Sequence, residues 1–200
     1  MASLTDMLMS QIGGGDLMKM IGGQLKTDEK TASTATSAAV AALVGAISKN
    51  ASNENGANAL SAALGKSHDG GILDNIPGFL ASGGSADGAG ILKHVLGNKQ
   101  SALQNGLGRS TGMDAQSMGK LLTMVAPLVM GALGKAKREQ GLGTQDMSRL
   151  LGQESRSLEK QNPKAMGALN GLLDSDGDGD VDFGDLMKHG KGLLGKFLGS

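Results

Sequence analysis

The carboxylates between residues 174 and 185 are the side chains whose type and spacing predict a chemistry most clearly. This segment reads DSDGDGDVDFGD and holds six of the nineteen acidic residues of the chain. Carboxylate and carbonyl oxygens are the ligands that hard cations such as Ca²⁺ prefer. Without a cation, so many negative charges repel one another at close range. The segment therefore predicts a cation site, with the ligands Asp174, Asp176, Asp178, Asp180, Asp182 and Asp185.

The spacing of these aspartates matches an EF-hand calcium loop, in which about six to eight oxygens surround the ion. The first three alternate aspartates would each supply a carboxylate oxygen. Asp180 would supply its backbone carbonyl, Asp182 would act through a water molecule, and Gly179 allows the sharp turn. A solvated Asp/Gly linker is the alternative interpretation, but a linker has no reason to keep this spacing.

The last ligand position departs from the usual pattern. It normally holds a glutamate that binds the ion through both oxygens, whereas this chain has Asp185, which is one methylene shorter. A shorter side chain that reaches with one oxygen lowers the coordination number. Asp185 therefore predicts weaker calcium binding or greater tolerance of magnesium.

The composition limits how the remaining residues build a core. Only 2% of the 200 residues are aromatic, with three Phe, no Trp and no Tyr, while Gly reaches 34 and Met 12. Such a core must pack helices closely across Gly and Ala and fill gaps with Met and Leu. Each glycine inside a helix costs roughly 1 kcal/mol, so we expect helices that depend on tertiary or intersubunit contacts.

Charge and targeting signals exclude several functions. The formal net charge is zero and no basic cluster is interleaved with aromatic residues, which argues against a nucleic-acid partner. There is no cysteine, so a disulfide framework and a thiolate metal site are excluded. The first residues lack the features of a Sec signal, and the longest apolar stretch, residues 121–133, is too short to span a bilayer. By default we expect a soluble, cytoplasmic protein, with export by a route that needs no N-terminal signal left open.

Helical periodicity dominates the chain and predicts an all-α fold. Apolar residues follow helical spacing over residues 28–50 and 114–139, and each segment begins with an aspartate that can cap a helix, Asp28 or Asp114. No run of alternating β-branched residues indicates a strand. An offset of 86 residues aligns the two segments, which predicts a multihelical domain built from two diverged repeats, about residues 21–65 and 107–152.

A charged segment divides the predicted domains. Residues 1–152 form the predicted helical domain, and the polar residues 153–164 form a linker. Residues 165–200 form an EF-hand-like module, in which helices over 165–173 and 183–198 flank the loop. The second of these helices has an apolar Leu/Phe face opposite a lysine face.

A second group of titratable residues lies in two repeated Asp-Gly segments. It could form a transition-metal or acid/base site, but the preferred interpretation is that Asp69 and Asp87 cap helices and that Asp74 and His94 are ordinary polar positions on short helices. The residues are His68, Asp69, Asp74, Asp87 and His94.

Three stretches of the chain resemble a known group of proteins. They are HDGGILDNI from His68, DGAGILKHVLG from Asp87 and APLVMGALGK from Ala126. Their order resembles the YidB-like family of uncharacterised bacterial helical proteins, over roughly residues 1–152 and the C-terminal tail. The resemblance implies an all-helical fold, often followed by an acidic calcium-type loop. It implies no catalytic residues.

Together these features predict a non-enzymatic calcium-binding protein that self-associates or binds another protein, with calcium ordering residues 165–200. A single EF-hand loop usually pairs with a second one, which would here come from another subunit. One alternative is a membrane-surface protein that uses its C-terminal amphipathic helix. The other is a small metal-dependent enzyme centred on His68 and His94.

Overall fold

The computed structural model describes residues 4–84 and 87–173, and in these residues it is helical without any strand. This confirms the predicted all-α fold. The predicted calcium loop, with all six of its aspartates, and the helix predicted over residues 183–198 lie outside the described residues.

The described residues form ten α-helices and two short 3₁₀ helices. The α-helices are α1 (Leu4–Ile12), α2 (Gly15–Leu25), α3 (Glu29–Asn50), α4 (Glu54–Lys66), α5 (Ile76–Ala81), α6 (Gly88–Leu96), α7 (Gln100–Thr111), α8 (Ala115–Gln140), α9 (Thr144–Gln161) and α10 (Pro163–Leu173). The 3₁₀ helices are Gly71–Asn75 and Gly97–Lys99.

Two long helices, α3 and α8, form the centre of the fold. They pack against each other, and most of the other helices pack on one or both of them. The middle of α3 is rich in alanine and fully buried, whereas α8 contributes larger side chains such as Met118, Leu121 and Leu122. The core thus combines close helix approach with Leu and Met filling, as the shortage of aromatic residues predicts.

The same two helices are long and apolar enough to cross a membrane by length and composition. The apolar run at 121–133, which by itself is too short to span a bilayer, is only part of α8. In the apolar window of α3, 72% of residues are buried within the structure, and in that of α8, 78%. The central helices of a globular core share these properties.

Two aspartates start the central helices. Asp28 Oδ1 accepts a hydrogen bond of 2.9 Å from the Thr31 backbone N–H, and Asp114 Oδ1 accepts one of 2.9 Å from that of Ser117. Each bond satisfies an N–H group that has no partner within its helix. The predicted caps are confirmed, and the predicted helix boundaries are within one residue of those observed.

These caps predict a specific acid sensitivity. Hydrogen bonds from Thr31 and Ser117 lower the pKa of Asp28 and Asp114 below the usual 3.8. Because the folded pKa is the lower one, the caps stabilise the fold fully above the unfolded pKa and lose this effect as pH falls through the folded value. Asn caps a helix equally well but does not titrate. We expect Asp28→Asn with Asp114→Asn to flatten the loss of stability in acid, measured by urea unfolding and circular dichroism.

Asp16→Asn is the matched control for this experiment, because its side chain is fully exposed and only reaches Lys19 at 3.7 Å. It should follow the wild-type acid profile. A double variant whose profile also matched the wild type would contradict the assignment of acid sensitivity to the two caps.

The region predicted as a linker is mostly helical. Residues 153–161 form the second half of α9, where Glu154 and Leu158 are buried, and α10 begins at Pro163 rather than at residue 165. The prediction followed the polar composition of this segment and missed a narrow row of residues that faces the core at helical spacing. The row consists of Leu151, Glu154 and Leu158. α10 packs against α3, α7 and α9.

Each predicted repeat covers a short helix, a long central helix and a closing helix. These are α2, α3 and α4 in the first repeat and α7, α8 and α9 in the second. Gly22 near the end of α2 lies against the Thr27 carbonyl, and Gly108, 86 residues later, lies against the Met113 carbonyl. The duplication itself stays a prediction.

Candidate functional site

The loop that starts at His68 lies directly on α8 through two glycines of that helix. A methyl group on Gly134 would overlap the His68 carbonyl oxygen, and a Cβ on Gly131 would lie 2.5 Å from Ile72 Cγ2. Gly70 in the loop has a φ of 104°, which suits glycine, and a Cβ there would lie 2.7 Å from Lys135 Cβ. Small residues on both sides therefore let the loop backbone touch the helix.

The start of α6 docks on α8 in the same way. A methyl group on Gly88 would overlap the Thr123 carbonyl oxygen. The His68 stretch and the Asp87 stretch thus both lie on the helix that contains the Ala126 stretch. The three segments that carry the family resemblance therefore meet in space.

A cleft of about 500 Å³ opens beside this junction, between the end of α3, helix α4 and helix α6. Its size lies within the range of small-molecule sites. Apolar side chains form most of its wall, and five polar residues line the remainder. The apolar side chains include Ile47, Leu60, Ile91, Val95 and Met130, and the polar residues are Asn50, Asn53, His68, Asp87 and His94.

Two asparagines hold the walls of the cleft in place. Asn50 Nδ2 donates a 2.8 Å hydrogen bond to the Val95 carbonyl, which ties the end of α3 to α6. Asn53 caps α4, because its Oδ1 accepts a 2.8 Å hydrogen bond from the Gly56 N–H. The end of α3 is therefore tied to α6, and the start of α4 is fixed by its own cap.

The structure brings three of the five predicted titratable residues, His68, Asp87 and His94, to this cleft. Asp69 and Asp74 are not among the residues that line it. Asp69 Oδ1 accepts a 3.1 Å hydrogen bond from the Gly71 N–H, but the N-cap position of this 3₁₀ helix is Gly70, so Asp69 acts from one residue before the predicted cap. Asp74 is exposed on that helix.

The capping role predicted for Asp87 is wrong. Asp87 stands at the N-cap position of α6, but its side chain accepts no capping hydrogen bond there, and its φ is 51°. Capping side chains reach the first turn from extended backbone, whereas this residue is in the left-handed region. Its carboxylate is therefore not used to start the helix.

Within residues 4–84 and 87–173, no three His, Asp or Glu side chains come together as a group that could hold a metal ion. His68, Asp87 and His94 share a cleft without forming such a group. Sequence reasoning missed Asn50, Asn53 and the apolar wall, because these come together only through the packing of α3, α4 and α6. The one local signal was the pair of Asn residues at the junction of α3 and α4.

The chain matches one protein family. The family described as Bacterial protein of unknown function (DUF937) matches residues 6–136, which include the three stretches that meet on α8. Comparisons with curated proteins and with solved structures find no match. Because the family match covers more than half of the 200 residues, the chain belongs to the bacterial family of unknown function DUF937.

Proposed function

We propose that the chain is a non-enzymatic calcium-binding protein that self-associates or binds another protein, and that calcium orders its C-terminal module. The observation that carries this proposal is the spacing of aspartates from Asp174 to Asp185 around Gly179. This spacing places oxygen ligands at every loop position where a calcium loop needs them.

The position of α10 supports the proposal, because this helix immediately precedes the predicted loop in the sequence. Its described residues extend to Leu173, one residue before the first predicted ligand. Ala165, Met166 and Leu169 on α10 are buried in the core. The segment that precedes the predicted loop is thus packed on the core, which would reduce the ordering that ion binding requires.

The contact between α10 and α3 is close. A Cβ on Gly45 would lie 2.7 Å from Leu169 Cδ2 and 2.9 Å from Met166 Cε. Ion binding that fixes the end of α10 therefore acts on a helix packed against the centre of the fold. This gives the proposed calcium effect a physical route to the helical domain.

Calorimetric titration of the full chain with calcium tests the proposal. We expect one ion per chain, and we expect Asp174→Asn with Asp178→Asn to abolish binding, because it removes two carboxylate ligands. Asp185→Glu should bind calcium more tightly than the wild type, because the longer side chain can offer both oxygens.

A control pair that removes the same charge outside the predicted loop is Asp16→Asn with Glu139→Gln, both exposed residues. It should bind calcium as the wild type does. A wild type that takes up no calcium, or a loop variant that binds as well as the control pair, would overturn the proposal.

A further inference from the structure

We propose that the cleft between α3, α4 and α6 binds a small amphipathic amine, with its apolar body in the cleft and its ammonium group beside Asp87. None of the residues in this proposal belongs to the predicted calcium loop, and the proposal does not rest on the proposed function. Three features of the cleft lead to this ligand class.

The first feature is the apolar wall. Ile47, Leu60 and Ile91 come from three different helices and line the same space as Met130 of α8. Apolar walls with a few polar groups, in a volume of about 500 Å³, are typical of small-ligand sites, although this cleft is partly open to solvent. Met130 adds a flexible side chain that adapts to the shape of a ligand.

The second feature is the charge. Among the described residues that line the cleft, Asp87 is the one with a formally charged side chain, and neither Lys nor Arg is among them. Its carboxylate does not cap α6. A carboxylate beside an apolar wall favours a ligand with a positive charge and disfavours one with a negative charge. His68 and His94 add groups that can donate or accept hydrogen bonds.

The third feature is the rigidity of the frame that holds these groups. Asp87 directly precedes Gly88, which lies on the Thr123 backbone, and His68 lies on Gly134. The left-handed backbone of Asp87 is an uncommon conformation for a non-glycine residue. Such conformations persist where the surrounding structure holds them, and they are frequent at ligand sites. The backbones of His68 and Gly88, which flank the cleft, are thus held on α8, and a frame fixed in this way lowers the cost of binding.

Two fluorescent probes with the same apolar body and opposite charges test the proposal. Dansylcadaverine carries an ammonium group, and dansyl-6-aminohexanoate carries a carboxylate at the end of a similar chain. The protein has no Trp or Tyr, so probe emission is measured without their background. We expect the full chain to bind dansylcadaverine at least about threefold more tightly than the carboxylate probe, because an ion pair with an exposed carboxylate contributes about this much to affinity.

Two variants connect this preference to the cleft. Asp87→Asn should bring the two dissociation constants together, whereas Asp74→Asn, which removes the same charge outside the cleft, should keep the preference. Ala59→Leu places a larger side chain in the cleft lining and should weaken both probes. Circular dichroism of each variant shows whether the helices are intact.

Three results would overturn the proposal. The first is equal affinity of the wild type for both probes, and the second is an unchanged preference in Asp87→Asn. The third is displacement of both probes by a synthetic peptide of residues 183–198 at a lower concentration than a simple alkylamine needs. That result would assign the cleft to the C-terminal segment of the chain itself.

Discussion

Gly134→Ala should lower the free energy of unfolding by about 3 kcal/mol, although alanine is the better helix former. The new methyl group would overlap the His68 carbonyl oxygen, and backbone cannot rotate away as a flexible side chain can. Either the loop after His68 leaves α8 or the helix moves, and both changes disturb the buried contacts around Leu73. Urea unfolding followed by circular dichroism measures the loss.

Gly152→Ala is the matched control, because it makes the same substitution inside a helix. A Cβ on Gly152 of α9 would meet no atom within 4 Å. Alanine reduces the conformational entropy of the unfolded chain and has a better helix propensity than glycine. We therefore expect Gly152→Ala to raise the free energy of unfolding by about 0.5–1 kcal/mol. If both variants shifted stability in the same direction and by the same amount, the contact between the His68 loop and α8 would be refuted.

These two glycines also show what the sequence could not reveal. Both lie in helices, and although Gly134 belongs to a more apolar segment than Gly152, the neighbouring residues do not show what touches it. Gly134 differs because a segment more than sixty residues away in the chain touches it. The starts of α3 and α8 were predictable, since an aspartate cap followed by apolar residues at helical spacing is a local signal. A contact between distant segments leaves no such signal.

The candidate cleft could not be predicted either, because it also forms through contacts between distant segments. The sequence singled out His68, Asp87 and His94 from their chemistry, but it assigned Asp87 to capping, because Asp before Gly commonly starts a helix. The left-handed backbone of Asp87 arises where α6 meets α8 at Gly88, which is a tertiary contact. By contrast, the ligands of the predicted calcium loop are all encoded within twelve consecutive residues, so the sequence alone suffices to propose them.

Calcium should raise the free energy of unfolding of the full chain by about 2.7 kcal/mol when the free ion exceeds its dissociation constant a hundredfold. This gain follows if calcium orders residues 165–200, as we propose, because the ion then binds the folded chain more tightly than the unfolded chain. Asp174→Asn with Asp178→Asn should remove the gain, and Asp16→Asn with Glu139→Gln should keep it. Urea unfolding in calcium and in excess chelator measures both, and an equal midpoint in the two conditions would contradict the prediction.

Sedimentation velocity under the same two conditions separates a stabilising ion from an ion that drives assembly. Interference optics are required, because the chain has no Trp or Tyr to absorb at the usual wavelength. If loops from two subunits pair, we expect dimers or larger species in calcium and monomers in chelator, with the loop variant monomeric in both. A calcium-stabilised wild type that remains monomeric would refute self-association, and the loop would then act as a structural clip that holds residues after Leu173 to α10.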